Sequence, residues 1–344
     1  MRRRVLGAAA MALAMVAPPA PLVAQPAERI VYTTYIYGRR SATSEIFTIL
    51  PDGTGRRRLT RDKSFDFAPV WSPDRSRIAY VHHVVRPRNP DVWVMDADGS
   101  HKRRLTRGPR DDEFPQWSPD GARIAWLRTR GDRPWGEIHV MAADGSGKRL
   151  LVRNAAWPQW SPDGARIAFM KKTRCESCVA DWELGVVHVS TREVDRLTAN
   201  EADELAPVWS PDGATLAFTR NRDDGGDLFT ISADGEHEEQ LTAVEGYAYG
   251  PAWSPDGSEV AFSLVVDFDD YDTRLSVVDV ETKEVRHLTD TEIGGVSPEW
   301  SSDGSRIAFL GFLDGNWELA VVGGDGTGMG QITDSAGEEG AFDW

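Results

Sequence analysis

Cysteine is scarce in this chain: two occur among 344 residues, Cys175 and Cys178, in a single Cys-x-x-Cys. A framework of several disulfides is therefore excluded as the basis of the fold. Long apolar runs are lacking after residue 25, so no membrane insertion is expected. Basic residues are the minority, with 39 Lys and Arg against 54 Asp and Glu and a formal net charge of -15. Such a chain repels phosphate backbones, which argues against nucleic acid as a partner.

The first 24 residues have the pattern of a secretory signal peptide. Arg2–Arg4 precede the apolar run Leu6–Ala17, and Leu22-Val23-Ala24 offers a small-residue cleavage site. The run of twelve apolar residues is too short to span a bilayer. We therefore expect a mature chain of residues 25–344 that is periplasmic or secreted. Loss of the three arginines would take its charge from -15 to -18.

One short string recurs through the rest of the chain. Pro-x-Trp followed by Ser-Pro-Asp-Gly, or a close variant, occurs six times, with tryptophans at 71, 117, 160, 209, 253 and 300. The intervals are 46, 43, 49, 44 and 47 residues. A period in the mid-forties with four strands per unit is typical of a β-propeller blade. The repeats start near residues 29, 69, 115, 158, 207, 251 and 298.

The residues of the repeat suit the turns and strands of such a blade. Ser-Pro-Asp-Gly matches a type I turn at each position. The following Ile-Ala-Phe pattern, as in Arg123-Ile-Ala-Trp126, predicts a strand buried on both faces, with Ala allowing the next blade to approach. A third strand, an Asp-Gly turn and a fourth strand ending in Leu-Thr complete the unit.

The count of strands predicts how the ring closes. Residues 29–60 supply three strands but no leading Pro-x-Trp strand, and Phe342-Asp343-Trp344 stands where that strand would be. We therefore predict an all-β fold, a single seven-bladed propeller of four-stranded antiparallel blades. Its closing blade is composite, with residues 340–344 as the inner strand, and six blades are the alternative. Closure of this kind removes exposed sheet edges.

The Pro-x-Trp-Ser-Pro-Asp-Gly-x-x-Ile-Ala-Phe string resembles the WD-repeat-like propeller module of the TolB-like family, from Arg29 to Trp344. The resemblance implies a propeller with a central channel whose mouth docks peptide segments of partner proteins. Two departures stand out: TolB-type proteins carry an α/β domain ahead of a six-bladed propeller. This chain is thus expected to be a stand-alone relative.

Segments that join one blade to the next are expected to line one mouth of the channel, where acidic and aromatic residues alternate. Such a rim suits a basic or amine-bearing peptide. The alternative is that these are solvated loop residues of an acidic protein. The candidate binding residues are Asp66, Phe67, Asp112, Glu113, Trp157, Asp203, Glu204, Tyr247, Tyr249, Glu338 and Glu339.

Cys175 and Cys178 are interpreted as a disulfide that staples a long loop, as suits an exported protein. A zinc site, which would need two more ligands, and a catalytic dithiol are the alternatives. No metal or cofactor is expected, except that calcium could bind an irregular oxygen site at Asp267–Asp272 or Asp223–Asp227.

The sequence contains no Gly-x-Ser-x-Gly nucleophile motif, and its seven histidines are scattered around the ring. We therefore expect a non-enzymatic, monomeric scaffold in the cell envelope or secreted space that binds a protein or peptide at the channel mouth. One alternative is an extracellular glycan- or peptide-acting enzyme of the metal-dependent lyase type. Another is a purely architectural subunit of a larger assembly.

Overall fold

The computed structural model describes residues 28–38, 42–84, 89–131, 133–173, 182–222, 225–267 and 272–344. The expected signal peptide (1–24) and both cysteines lie outside these ranges. No helix in the described part of the chain is long and apolar enough to cross a membrane.

The described strands pair into seven antiparallel sets of four, which we call blades. From the innermost strand outward, the closing blade comprises Glu338–Asp343 (β27), Ile30–Tyr37 (β1), Ala42–Ile49 (β2) and Arg57–Arg58 (β3). Blade 1 comprises Phe65–Trp71 (β4), Arg77–Val84 (β5), Asn89–Asp96 (β6) and Arg103–Arg104 (β7). Blade 2 comprises Asp111–Trp117 (β8), Arg123–Thr129 (β9), Gly136–Ala142 (β10) and the first part of Arg149–Trp160 (β11).

Blade 3 begins with the second part of β11 and continues with Arg166–Lys172 (β12), Trp182–His188 (β13) and Val194–Arg196 (β14). Blade 4 comprises Glu204–Trp209 (β15), Thr215–Arg222 (β16), Gly225–Ser232 (β17) and Glu238–Gln240 (β18). Blade 5 comprises Tyr247–Trp253 (β19), Glu259–Asp267 (β20), Asp272–Asp279 (β21) and Val285–His287 (β22). Blade 6 comprises Val296–Trp300 (β23), Arg306–Leu313 (β24), Asn316–Gly323 (β25) and Gly330–Gln331 (β26). The all-β propeller expected from the sequence is confirmed.

The motif tryptophans join neighbouring blades by hydrogen bonds as well as by packing. The indole Nε1 of Trp117 donates to the carbonyl of Val70 at 3.3 Å, and the same bond recurs from Trp160 to Gln116 at 3.1 Å. Trp209, Trp253 and Trp300 repeat it at 3.2 Å. In each case the acceptor is the residue before the tryptophan of the preceding blade. A buried indole that finds such a partner fixes how far one blade is rotated from the next.

Arginine at the start of the second strand contacts the tryptophan of the next blade. Its guanidinium lies over the ring of the next blade's tryptophan at 4.6–5.3 Å in four copies: Arg77 on Trp117, Arg123 on Trp160, Arg166 on Trp209 and Arg306 on Trp344. Cation–π contacts of this kind add to the inter-blade attraction.

The alanine of each Ile-Ala-Phe pattern lies between blades, as the pattern predicts. All six alanines are fully buried: Ala79, Ala125, Ala168, Ala217, Ala261 and Ala308. In one shared cluster Ala79 packs with Ile124 and Trp126 of the next blade. A larger side chain here would overpack a dense interior.

The threonine of the Leu-Thr ending takes part in a hydrogen-bond network inside the blades. The Oγ1 of Thr242 accepts a hydrogen bond from the backbone N–H of Leu228 at 2.9 Å and donates to Asp227 at 3.0 Å. Thr60, Thr106 and Thr333 make the same pair of bonds, with Glu45, Asp91 and Glu318 as acceptors. The network satisfies buried polar groups where the short outer strand ends.

The two ends of the chain meet in the closing blade. β27 pairs antiparallel with β1, with Val31 opposite Asp343 and Tyr32 opposite Phe342. Phe342 and Trp344 are 8% exposed and pack with Ile30 and residues of blade 6. Closure by both termini, inferred from the missing first strand, is therefore present.

Two carboxylates reinforce this junction. The backbone N–H of Trp344 donates to Glu299 at 2.9 Å, and that of Trp71 donates to Asp343 at 2.6 Å. Burial raises the pKa of both carboxyl groups. The corresponding positions of the other blades hold Val, Gln or Ala, so this pair is peculiar to the closure and the blade before it.

We expect deletion of Phe342–Trp344 to lower the melting temperature by at least about 5 °C. The deletion exposes a buried cluster and removes an inner strand, a loss of several kcal/mol. Circular dichroism melts of the deletion and the full chain would measure it. Trp344→Phe is the matched control and should melt much closer to the full chain. An unchanged melt of the deletion would contradict closure by β27.

Candidate functional site

The inner strands surround the axis of the ring. β4, β8, β11, β15 and β19 each contact the next inner strand, and β27 contacts β4. Between β23 and the end of β27, the backbone N–H of Trp344 donates to Glu299. The outer-to-inner connections and the ends of the second strands lie at one end of this channel, which we call the mouth. The Ser-Pro-Asp-Gly turns lie at the other end.

Each internal inner strand is interrupted just before its Pro-x-Trp. The residue there has a left-handed backbone, with φ between 48° and 62°, in all six copies: Ala68, Phe114, Trp157, Ala206, Gly250 and Ser297. Small residues or glycine occupy four of them. A bulky residue in this conformation is unfavourable, so the fold does not itself require the aromatic rings at 114 and 157.

Phe114 and Trp157 form an exposed aromatic pair at this position. They are 40% and 44% exposed, and their ring centroids lie 5.6 Å apart at an interplanar angle of 41°. The rings come from neighbouring inner strands, β8 and β11. Exposed aromatic side chains held on a rigid scaffold are typical anchors for a protein or peptide.

Four of the candidate binding residues are buried in the structure. Asp66, Asp112 and Glu204 are fully buried and Glu339 is 3% exposed. All four occupy the same place, three residues before the Pro or its equivalent. The inner strands begin earlier than the motif suggested, and strand alternation turns these carboxylates inward.

Three of the buried carboxylates bond to the second strand of their own blade. Asp112 accepts from Arg128 at 2.7 and 2.9 Å and from the Trp126 indole at 2.8 Å. Glu204 accepts from Arg220 at 2.9 Å, from Asn200 at 2.8 Å and from Thr198 at 2.8 Å. Asp66 lies 2.7 Å from the Nδ1 of His82. These bonds hold the blade together from within.

The other candidate residues lie nearer the surface. Trp157 is exposed, and the rest are partly buried: Phe67, Glu113, Asp203, Tyr247, Tyr249 and Glu338. Tyr247 and Tyr249 have ring centroids 5.7 Å apart, and the Tyr247 hydroxyl donates to Asn221 at 2.6 Å. Glu338 accepts from Tyr37 at 2.8 Å, and Asp203 accepts the backbone N–H of Trp182 at 2.9 Å. Their role in binding stays a prediction.

Residues 154–157, expected to be a loop of the rim, are instead part of a strand. β11 is one strand that runs from the outer edge of blade 2 into the centre of blade 3, with an irregularity at Trp157, and Ala155 and Ala156 are buried. The Leu-Thr ending is replaced here by Leu150-Leu151. Arg149–Ala156 contains neither Gly nor Pro, and the strand continues past a left-handed residue at Asn154, whose φ is 54°.

An arginine-rich cleft lies beside the aromatic pair, and sequence reasoning missed it. A cavity of about 150 Å³ is lined by five arginines: Arg110, Arg128, Arg130, Arg133 and Arg153. Glu137 pairs with Arg110 at 2.9 Å and also with Arg153, while Arg128 pairs with Asp112. Arg130 and Arg133 are exposed and form no ion pair within the described residues. The mouth is therefore locally basic on a strongly acidic chain.

The signal for this cleft was the clustering of Arg107, Arg110, Arg128, Arg130 and Arg133 at the ends of neighbouring strands. Only the pairing of β8, β9 and β10 brings these ends together.

Three mouth carboxyl groups have a pKa raised by burial. Burial raises the pKa of Asp66, opposed by the hydrogen bond from His82, and burial also raises the pKa of Glu204. Burial raises the pKa of Glu339 to about 7, opposed only in part by the hydroxyls of Thr34 and Ser335 and by the guanidinium of Arg56, 3.8 Å away.

The model of the family described as "TolB beta propeller domain" matches residues 19–255. The chain belongs to the TolB β-propeller family. No curated protein sequence matches the chain.

Solved structures share the fold at low identity. TolB from Acinetobacter baumannii is 18% identical, with a TM-score of 0.57, over 92% of this chain and 82% of that one. An oligogalacturonate lyase in complex with manganese is 15% identical, with a TM-score of 0.67, over 90% of this chain and 86% of that one. A puromycin hydrolase is 15% identical, with a TM-score of 0.68, over 90% of this chain and 53% of that one. TolB, a lyase and a hydrolase share this fold, so these likenesses establish the fold alone.

We expect Glu339→Gln to stabilise the protein above pH 7 and to have little effect below pH 4.5. The pKa of Glu339 is about 7 in the folded chain against an ordinary value of 4.5. The folded state therefore holds a proton that the unfolded state loses, and stability falls as the pH rises from 4.5 to 7. Removing the charge should recover on the order of 2 kcal/mol at pH 8.

Urea unfolding of both proteins at pH 4.5 and pH 8 measures this difference. Glu338→Gln, at the neighbouring and more exposed carboxylate, is the control. Equal stability changes at the two pH values for Glu339→Gln would contradict the shifted pKa.

Proposed function

We propose that this protein is an exported, non-enzymatic propeller that binds a protein or peptide segment of the cell envelope at the channel mouth. The observation that carries the proposal is the exposed Phe114–Trp157 pair on left-handed backbone. Four other blades have Ala, Ser or Gly at that position. The two aromatic rings therefore lower the stability of the folded chain and are not needed to close the propeller ring. Such a cost is typical of a binding site.

The charge around the pair defines the class of partner. The carboxylates Asp112 and Glu204 already have internal partners. Arg130 and Arg133 are exposed at the adjacent cleft. Because arginine recognises carboxylates by charge-assisted hydrogen bonds, we infer that an acidic segment with an apolar or aromatic anchor binds here. This reverses the basic peptide expected from the sequence.

The proposed location rests on the N-terminal pattern of Arg2–Arg4, Leu6–Ala17 and Leu22–Ala24. Export would place the mouth in contact with envelope proteins. A monomeric ring fits this role, since no second copy is needed to complete the mouth.

We expect the double variant Phe114→Ala/Trp157→Ala to lose binding at least tenfold, as buried aromatic anchors do. The mature protein would be immobilised and exposed to envelope extract, and the captured proteins compared by mass spectrometry. Met329→Ala is the matched control, since Met329 is 42% exposed in the outer connection of blade 6 at the opposite end of the ring. The same specific partner recovered by the double variant would contradict the proposal.

The charge of the partner has its own test. Arg130→Ala/Arg133→Ala should weaken binding of the captured partner and reduce its salt dependence, because two exposed cations leave the cleft. Titration at two salt concentrations measures both effects. An unchanged salt dependence would contradict the inference that the bound segment is acidic. It would not contradict binding at the aromatic pair.

A further inference from the structure

Three metal-ligating side chains converge at the mouth edge of blade 1. Asp66 of β4 and His82 of β5 are opposite each other in the strand pairing. The Nδ1 of His82 lies 2.7 Å from Asp66 Oδ1 and 3.9 Å from Asp62 Oδ2. One ligand atom from each of the three residues lies within 4.8 Å of the others. The proposed binding of a peptide at the aromatic pair does not involve these residues.

In blades 2 and 4, the carboxylate at the position of Asp66 has a hydrogen-bond donor on each of its two oxygens. Asp112 receives hydrogen bonds on both carboxylate oxygens, from Arg128 and Trp126. Glu204 likewise receives bonds on both oxygens, from Arg220 and Asn200 on one and from Thr198 on the other. In both blades donors fully satisfy the buried carboxylate.

Blade 1 replaces the arginine with an imidazole, which offers fewer N–H donors, and the asparagine with an acceptor. His82 stands where the other blades have Arg128 and Arg220, and Asp62 stands four residues before Asp66, as Asn200 stands before Glu204. A carboxylate at 62 cannot donate a hydrogen bond to Asp66. The result is two acids and one imidazole in place of a balanced charge pair.

One buried atom is left unsatisfied by this exchange. Asp66 is fully buried, and its Oδ2 has no hydrogen-bond partner within the described residues. An unpaired buried carboxylate oxygen is costly. A cation held between Asp66 and the other two side chains would satisfy it and offset the excess negative charge.

We propose that Asp62, Asp66 and His82 bind a divalent transition-metal ion of the Zn²⁺ or Mn²⁺ type. Carboxylate oxygens and one imidazole nitrogen form a donor set suited to such ions. Tetrahedral bonds of about 2.0–2.1 Å place ligand atoms about 3.3 Å apart. The observed 2.7 and 3.9 Å separations bracket that value, so small side-chain movements suffice.

The surroundings already orient two of the ligands. Asp62 Oδ1 accepts the backbone N–H of Ser64 at 2.9 Å, which leaves Oδ2 for the ion. The His82 ring packs against Trp93, with ring centroids 4.9 Å apart. Since three protein groups leave a coordination position for water or a ligand, the ion would be open to the mouth.

The test uses the mature protein with Cys175→Ser/Cys178→Ser, because a Cys-x-x-Cys could itself bind Zn²⁺. After removal of metal with chelator, Zn²⁺ is titrated by calorimetry and bound metal is counted by elemental analysis. We expect one equivalent in this background. Asp62→Asn/His82→Arg rebuilds the cluster of blade 4, so it should remain folded and weaken Zn²⁺ binding at least 100-fold.

A matched control uses the exposed pair formed by His188 Nε2 and Asp195, 2.9 Å apart. Asp195→Asn should leave the Zn²⁺ affinity unchanged. Melts of the double variant without metal should match or exceed those of the background, which shows that it folds. The proposal is overturned if the background binds no Zn²⁺, or if the double variant binds it with equal affinity and stoichiometry.

Discussion

The hydrogen bond from the motif indole to the carbonyl of the preceding blade is the contact on which the ring depends. It recurs at 3.1–3.3 Å between successive blades, always to the residue before the previous tryptophan. Since each blade is a twisted sheet, packing alone would tolerate a range of inter-blade angles. A directional bond at the inner strand restricts that range and keeps the blades in register around the axis.

The ring closes with a modified version of this contact. The Nε1–H of Trp71 donates to the backbone carbonyl of Arg29 at 3.0 Å, and its backbone N–H donates to Asp343. The backbone N–H of Trp344 donates to Glu299. At the junction of the two chain ends, these two carboxylates therefore add backbone hydrogen bonds to the indole bond. Phe342 stands in the place of the motif proline and packs in the apolar cluster of the junction. Closure therefore depends on side chains that the repeat itself does not contain.

Much of the fold could be predicted from the sequence because its cause is local and repeated. Trp-Ser-Pro-Asp-Gly specifies a strand end and a turn, and Ile-Ala-Phe specifies a strand buried on both faces. The placement of the mouth residues could not be predicted so well. In the sequence, Asp66, Asp112 and Glu204 are acidic residues next to a turn. In the structure the inner strands extend far enough to include them, and their side chains face the interior.

The arginine cleft and the Asp62–Asp66–His82 cluster were hidden for a related reason. Their members are separated along the chain and meet only through strand pairing, as Asp66 meets His82 across β4 and β5. Net charge also misleads here, because the chain is acidic at -15 while five arginines surround one cleft. Local charge depends on which carboxylates are already paired inside the blades.

Amide hydrogen exchange of the mature protein tests closure by the two chain ends most directly. The amides of β27 and β1 that form the ladder between Asp343 and Val31 should exchange as slowly as those of β5, in the middle of blade 1. Exchange of β27 at the rate of the surface turns would contradict the account. The ring would then be open where its first and last strands are said to meet.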